Sequence, residues 1–468
     1  MGFFFSVSEL PRRCNWLYHL FSRRTEIFLF HRDWHVPRFL LAITFRLCRI
    51  QPNMSHDLLQ ASIHEGVGGY SSEFRMVGER VVEYQELHFH EPAMNRALGA
   101  AAVVGDWGIA MNPEEHAKEV EEHIQRLGRE GLGRTHVETG FSQTLWSKRM
   151  SYSELLPFQV EVSRRAVLEA SQAVGIDPAE LKRISVASTT PFSEDIANLV
   201  RASLGVSSEV PAEYVAAACN SSALSFDLHL QEAANYPDGP QAIVGLETMM
   251  SLREPLVDRE HPDAGKYARG VTDRTALSFF SDRVAALVYD PKRFRVLVRA
   301  THGEPDLQGA LGGMMTIDFT GQEMEGYNGL LRRNQRGVIA HIPDPKPDQT
   351  VYMNDLGTTR LFLILLRGLV SKFKGQYEDE MGEGFDPSRV NQVMAHHPSY
   401  QIHNHLREKL FGFSQSVMPW CREHVNAPAC TFGMEMARVL PHLQVGDRML
   451  QVFFGAGATG QILLTEIV

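Results

Sequence analysis

The stretch AEYVAAACNSSALSFDLHL, residues 212–230, holds one cysteine, Cys219, at a change of pattern. Small and apolar residues lead up to it, Ser and Asn follow, and Leu224 and Leu228 then recur at helical spacing. This reads as a strand running into a helix with Cys219 at the joint. Unpaired amides and the macrodipole at a helix start favour negative charge, so a thiol there falls from about 8.5 to roughly 7 or below and becomes a usable thiolate. The same amides can hold an oxyanion. The competing reading is a buried, inert core cysteine.

Working outward, short apolar runs alternate with helical stretches. Strands are predicted at 98–105, 184–188, 242–245 and on the approach to Cys219, with helices at 113–127, 154–174 and 195–204. Tyr236-Pro237-Asp238-Gly239 stops the helix after Cys219. The second part of the chain repeats the element order: a strand at 294–300, a helix at 361–374, Asp386-Pro387 and a strand at 390–395, echoing Asp177-Pro178 and 184–188. Helices at 406–411 and 432–443 and strands at 448–455 and 461–468 complete it. Such alternation predicts an α/β layered fold with duplicated element order. Residues 303–350, rich in Gly, Met and Pro, show no periodicity and read as a covering loop or an insertion.

Composition excludes several classes. The net charge of -10 argues against nucleic-acid binding, which needs concentrated Lys and Arg. Five cysteines without CxxC spacing describe neither a disulfide framework nor a zinc site, and a reducing, cytoplasmic setting is expected. Residues 1–53 carry eight arginines against Glu9, Glu26 and Asp33. Their longest apolar run falls far short of the ~18 residues of a membrane span, so no span is expected. Met54 is the expected start of the folded protein, with 1–53 a basic extension outside it; a targeting extension is the alternative. Residues 54–94 read as an arm, 95–295 as a first half and 296–468 as a second.

Two further polar clusters stand at element ends. AHHPSYQIHNH places His396 and His397 after the 390–395 strand, and HVNAPACTFG places Asn426 ahead of the helix from 432. A thiolate, a histidine and an amide donor suit acyl transfer, because the Cys attacks and the others polarise a thioester oxygen. Taken singly, His396 reads equally as a hydrogen-bonded loop residue and Asn426 as a turn former. His403, His405 and His424 match no metal-ligand spacing, and no metal is expected.

Cys219 in VAAACNSSALSF, His396 in VMAHHPSYQI, Asn426 in VNAPACTFGMEMARVL and the terminal VFFGAGATGQILL resemble, in order and context, the ketoacyl-ACP synthase III branch of the thiolase-like superfamily. The resemblance covers roughly residues 98–468. It implies a five-layered αβαβα fold of two related halves, acting as a homodimer or as a heterodimer with a paralogue, and no cofactor. It further implies that Cys219 takes an acyl group from acyl-CoA or acyl carrier protein, while His396 and Asn426 promote decarboxylation of a malonyl-type extender. Asn220, Ser222, Gly455, Gly457 and Ala458 would line the substrate site, with an amide of the 455–460 turn completing an oxyanion hole. Head-to-head condensation, O- or N-acylation, and a non-catalytic subunit of a heterodimeric synthase are the alternatives.

The resemblance has departures. His396-His397-Pro398-Ser399 replaces an HQPN-like motif, Asn220-Ser221-Ser222 replaces a glycine-containing turn, and Arg283 in Ser281-Asp282-Arg283-Val284-Ala285-Ala286 stands where the family keeps very small residues. These imply a specialised member in an unusual-lipid or secondary-metabolite pathway. The 452–460 stretch lacks the second cysteine of a thiolase, and one His with an Asn excludes the two-histidine elongating synthases. Arg164, Arg165, Arg332, Arg333 and Arg336 are candidates for a basic patch that meets an acidic carrier.

Overall fold

The computed structural model describes residues 91–126, 139–148, 150, 152–189, 195–252, 274–302, 315–317, 332–334, 337–339, 351–353, 355–396, 398–455 and 459–468. The basic extension 1–53, most of the arm, and the sites His397, Gly457 and Ala458 lie outside these residues.

Strands β1 (Ala93–Asn95), β2 (Gly99–Val104), β3 (Ile184–Ser188), β4 (Ala212–Ala216), β5 (Gln241–Glu247) and β6 (Arg283–Tyr289) belong to one sheet. Strand β7 (Phe294–His302) follows β6 directly and opens a second sheet. The short strands β8 (Arg332–Asn334) and β9 (Gly337–Ile339) join the first sheet; β10 (Gln392–Ala395), β11 (Arg448–Gly455) and β12 (Thr459–Ile467) join the second. The sheet orders are β1-β2-β6-β5-β3-β4-β9-β8 and β10-β11-β12-β7.

The duplication shows in strand sense as well as in order. In the first sheet β3 runs parallel to β5, β5 antiparallel to β6, and β6 antiparallel to β2. In the second, β10 runs parallel to β11, β11 antiparallel to β12, and β12 antiparallel to β7. Four consecutive positions therefore match in both sheets.

Helices complete five layers. On the outer face of the first sheet lie α1 (Tyr152–Val174), against β2, β5 and β6, and α2 (Ile196–Ser203), against β3 and β4. Between the sheets lie α3 (Ser221–Gln231) and α5 (Thr431–Val439), which touch each other; α3 packs on β3, β4, β5 and β7, and α5 on β2, β5, β6 and β10. Over the outer face of the second sheet lies α4 (Asp355–Met381), against β7, β11 and β12. Strands buried on both faces read as continuous apolar runs, which is why β2, β3, β5 and β6 show no alternation. Alternate residues of β11 face different layers: Met449 and Phe453 enter the central core with Phe226 and Phe432, whereas Leu450, Val452 and Phe454 enter the core beneath α4.

Three local differences from the sequence reading stand out. The region 303–350, which reads as a covering loop or an insertion, contributes β8 and β9, and β9 pairs parallel with β4. Strands of three residues, RRN and GVI, are too short to show a period-2 pattern. Helix α4 extends past the predicted 361–374 at both ends, since its polar ends carry no apolar stripe. Residues His405–Phe411 wind as a π-helix that ends at Gly412 in the left-handed conformation.

Candidate active site

Cys219 sits where the sequence placed it, between the end of β4 and the start of α3, in a short 3-10 turn, Ala218–Asn220. Ala218 has φ 49°, the one non-glycine among the described residues with a positive φ. A left-handed alanine costs on the order of 1–3 kcal/mol and persists only where its surroundings force it. Here the Ser221 hydroxyl does so: it accepts from the Ala217 N–H at 2.8 Å and donates to the Ala218 carbonyl at 2.5 Å. The Asn220 N–H donates to the Ala217 carbonyl at 3.0 Å. Cys219 is 3% exposed, and the Oδ1 of buried Asn220 has no hydrogen-bond partner.

Gly455 ends β11 directly against this turn. A β-carbon there would stand 2.8 Å from the Cys219 nitrogen, 3.1 Å from the Ala217 oxygen and 3.2 Å from the Asn220 nitrogen. The position must be glycine because the two backbones touch. One residue earlier, the Phe454 ring meets the His396 imidazole edge-on at 5.2 Å between centroids. The His396 N–H extends the β10–β11 pairing to the Val452 carbonyl at 2.9 Å. Strand β11 thus brings the His396 end of β10 to the cysteine turn.

Asn426 precedes the second 3-10 turn, Pro428–Cys430. Its Nδ2 donates to the Phe279 carbonyl at 2.8 Å, which orients the carboxamide, and its main-chain carbonyl accepts from the Ser281 N–H at 2.9 Å. Its Oδ1 is buried without a partner. The turn Pro428–Cys430 that follows packs on Ala218–Asn220, and the Ser222 hydroxyl donates to the Ala429 carbonyl. The Ala429 N–H donates to Glu247 at 3.1 Å, so this one residue is held at both its N–H and its carbonyl.

Cys430 lies in the comparable 3-10 turn at a helix entry of the second half, as its last residue where Cys219 is the middle one. Its thiol donates to the carbonyls of Gly245 and Arg283 at 3.1 and 2.8 Å, and burial pushes it well above the usual thiol range. Burial pushes Cys421 up to about 12. Neither is poised as a thiolate.

The other sequence candidates separate. His403 packs on Trp420 at 5.3 Å and burial pushes His405 down to about 4. His424 Nδ1 lies 3.3 Å from Glu435. Arg165 is paired with Asp106 and Glu169, and Arg164 with Glu161, so neighbouring carboxylates offset the charge of this half-exposed pair. Arg336 and the side chains of Arg332 and Arg333 lie outside the described residues. Arg283 is accommodated because Gly105 leaves room: a β-carbon on Gly105 would fall 2.3 Å from its guanidinium. Burial lowers that guanidinium to about 10.

The residue reading missed Glu247. Buried at the end of β5, it accepts from the Thr189 N–H and hydroxyl as well as from Ala429, and burial raises it to about 7. A lone acid closing the apolar run QAIVGLE was the available signal.

No family model matches the chain, and no curated protein matches it. Solved structures do. The chain is similar to 3-oxoacyl-[acyl-carrier-protein] synthase III from Aquifex aeolicus, at 17% identity and TM-score 0.51, over 79% of this chain and 99% of that one. It is similar to OleA from Xanthomonas campestris, at 16% identity and TM-score 0.54, over 82% and 100%. It is also similar to FabH from Xanthomonas oryzae, at 17% identity and TM-score 0.53, over 80% and 99%. The chain has the thiolase-like fold. In this fold the two 3-10 turns that open α3 and α5 pack on each other in the middle layer, and Cys219 lies in the first.

Proposed function

We propose that this protein is an acyl-condensing transferase that carries its acyl group on Cys219 and joins it to a malonyl-type or β-ketoacyl thioester. The observation that carries the reading is the seat of Cys219: a strained turn at a helix entry, with the Gly455 backbone closed onto its amide. Likeness in fold to a 3-oxoacyl-carrier-protein synthase III supports acyl thioesters as substrates, as does likeness to OleA, which was also solved with bound lauroyl-CoA.

In the proposed first step the Cys219 thiolate adds to the thioester carbonyl. The Cys219 N–H and an amide of the 455–460 turn hold the oxyanion. Collapse restores the carbonyl, breaks the bond to the CoA or carrier sulfur, which leaves as a thiolate and takes up a proton, and leaves the acyl group on Cys219. In the second step His396 and the second Asn426 Nδ2 proton donate to the extender's thioester oxygen. The bond to its carboxylate breaks, carbon dioxide leaves, and the electron pair becomes an enolate. The enolate carbon attacks the acyl carbonyl and Cys219 departs as thiolate. Asn220, Ser222, Gly455, Gly457 and Ala458 would shape the acyl site. A homodimer, or a heterodimer with a paralogue, belongs to the same proposal, as does a reducing, cytoplasmic setting that keeps Cys219 a thiol.

Intact-mass measurement after incubation with acyl-CoAs and acyl carrier proteins tests it. Wild type should gain one acyl group that Cys219→Ala abolishes; a wild type that stays unacylated sinks the reading. His396→Ala and Asn426→Ala should keep the acyl adduct and lose malonyl decarboxylation. Acylation without any malonyl decarboxylation in wild type would favour transfer to a second acyl, oxygen or nitrogen nucleophile.

A further inference from the structure

Helix α5 follows the Asn426 turn and reads TFGMEMARV, with two charges among apolar residues. All of its residues are buried, so Glu435 and Arg438 lie in the middle layer without solvent. They are three residues apart and face one another: Arg438 Nη2 donates to Glu435 Oε2 at 2.7 Å, and its Nε lies 3.4 and 3.3 Å from the two carboxylate oxygens. Each then reaches a different segment. Glu435 Oε1 is 3.3 Å from His424 Nδ1, two residues before Asn426. Arg438 Nη2 also donates to the carbonyl of Val393 in β10, three residues before His396.

A buried ion pair contributes little net stability against an apolar replacement of the same volume, so stability is a weak reason for this one. What it does is join two chain segments with directional, charge-assisted bonds. We infer that Glu435 is a positioning residue that sets the Asn426 turn and the His396 strand end relative to each other, through His424 on one side and Arg438 on the other. The inference rests on the reading that His396 and Asn426 act together on the extender. Two donors aimed at one thioester oxygen must hold their spacing, and a displacement of about 1 Å can cost on the order of 100-fold in rate.

The test compares the full-length chain with Glu435→Gln and Glu435→Asp. The probes are lauroyl-CoA for Cys219 acylation, malonyl-CoA for decarboxylation, and 15N-histidine NMR with His396 and His424 assigned by single substitution. In folded Glu435→Gln, acylation should stay within about twofold while kcat for malonyl decarboxylation falls about 100-fold with KM little changed. The His396 ring signals should move together with those of His424, and Glu435→Asp, which keeps the charge, should recover much of the loss. Unmoved His396 signals in folded Glu435→Gln overturn the coupling, whatever the enzyme turns over. If wild type fails to decarboxylate malonyl-CoA but the His396 signals still move, the proposed function fails and the positioning stands. Should Glu435→Gln not fold, Arg438→Lys, which keeps the charge but loses the fork, takes its place, and unmoved His396 signals there overturn the inference equally.

Discussion

Gly455 and Cys219 meet backbone to backbone: the space for a β-carbon on Gly455 is already filled by the Cys219 amide nitrogen, 2.8 Å away. The contact joins the last residue of β11 to the turn that opens α3, so any side chain at 455 must push the cysteine turn. Gly455→Ala should leave a folded protein with Cys219 acylation reduced about 100-fold, as a misplaced reacting group predicts. Acylation rates by stopped mass analysis would check it; a fully active Gly455→Ala would mean that the turn tolerates displacement.

Ser222 ties α3 to the turn after Asn426 through the Ala429 carbonyl. Ser222→Ala leaves that carbonyl buried with one partner fewer, which costs about 1–3 kcal/mol. Urea unfolding should show this loss, and Ser222→Cys should recover only part of it. An unchanged midpoint would show that the carbonyl finds another donor.

Gly105 and Arg283 form a complementary pair, one missing its side chain where the other fills the space. Gly105→Ala should destabilise by about 1–3 kcal/mol through overpacking. Adding Arg283→Ala to that variant should restore most of the loss, because the clash then has no partner. Thermal melts of the two singles and the double close the cycle, and additive losses would contradict the pairing.

Glu247 gives stability a pH dependence of defined sign. Burial raises its carboxyl from 4.5 to about 7 in the folded protein, with nearby Asp282 pushing the same way. Between roughly pH 4.5 and 7 the unfolded chain has released this proton while the folded one retains it, so stability falls as pH rises through that window, by on the order of 3 kcal/mol. Glu247→Gln should flatten the fall, since an amide does not titrate and its oxygen can still accept from Ala429. Denaturation at a series of pH values decides; equal slopes in both proteins would remove Glu247 as the cause.

The layered α/β order, the duplication, and the three element ends that carry Cys219, His396 and Asn426 can be read from the amino-acid order alone. These were legible because they depend on local signals: apolar runs, helical spacing, Asp-Pro entries, and a cysteine between a strand and a helix. Only the tertiary structure decided how those ends meet. The positive φ of Ala218 is imposed by neighbours, and no alanine announces it. Ser222 and Ala429 stand 207 residues apart, and Arg438 reaches a carbonyl 45 residues away. Such contacts arise when two sheets and a middle helical layer pack together, and a charge within an apolar helix names its partner only once that packing has placed one beside it.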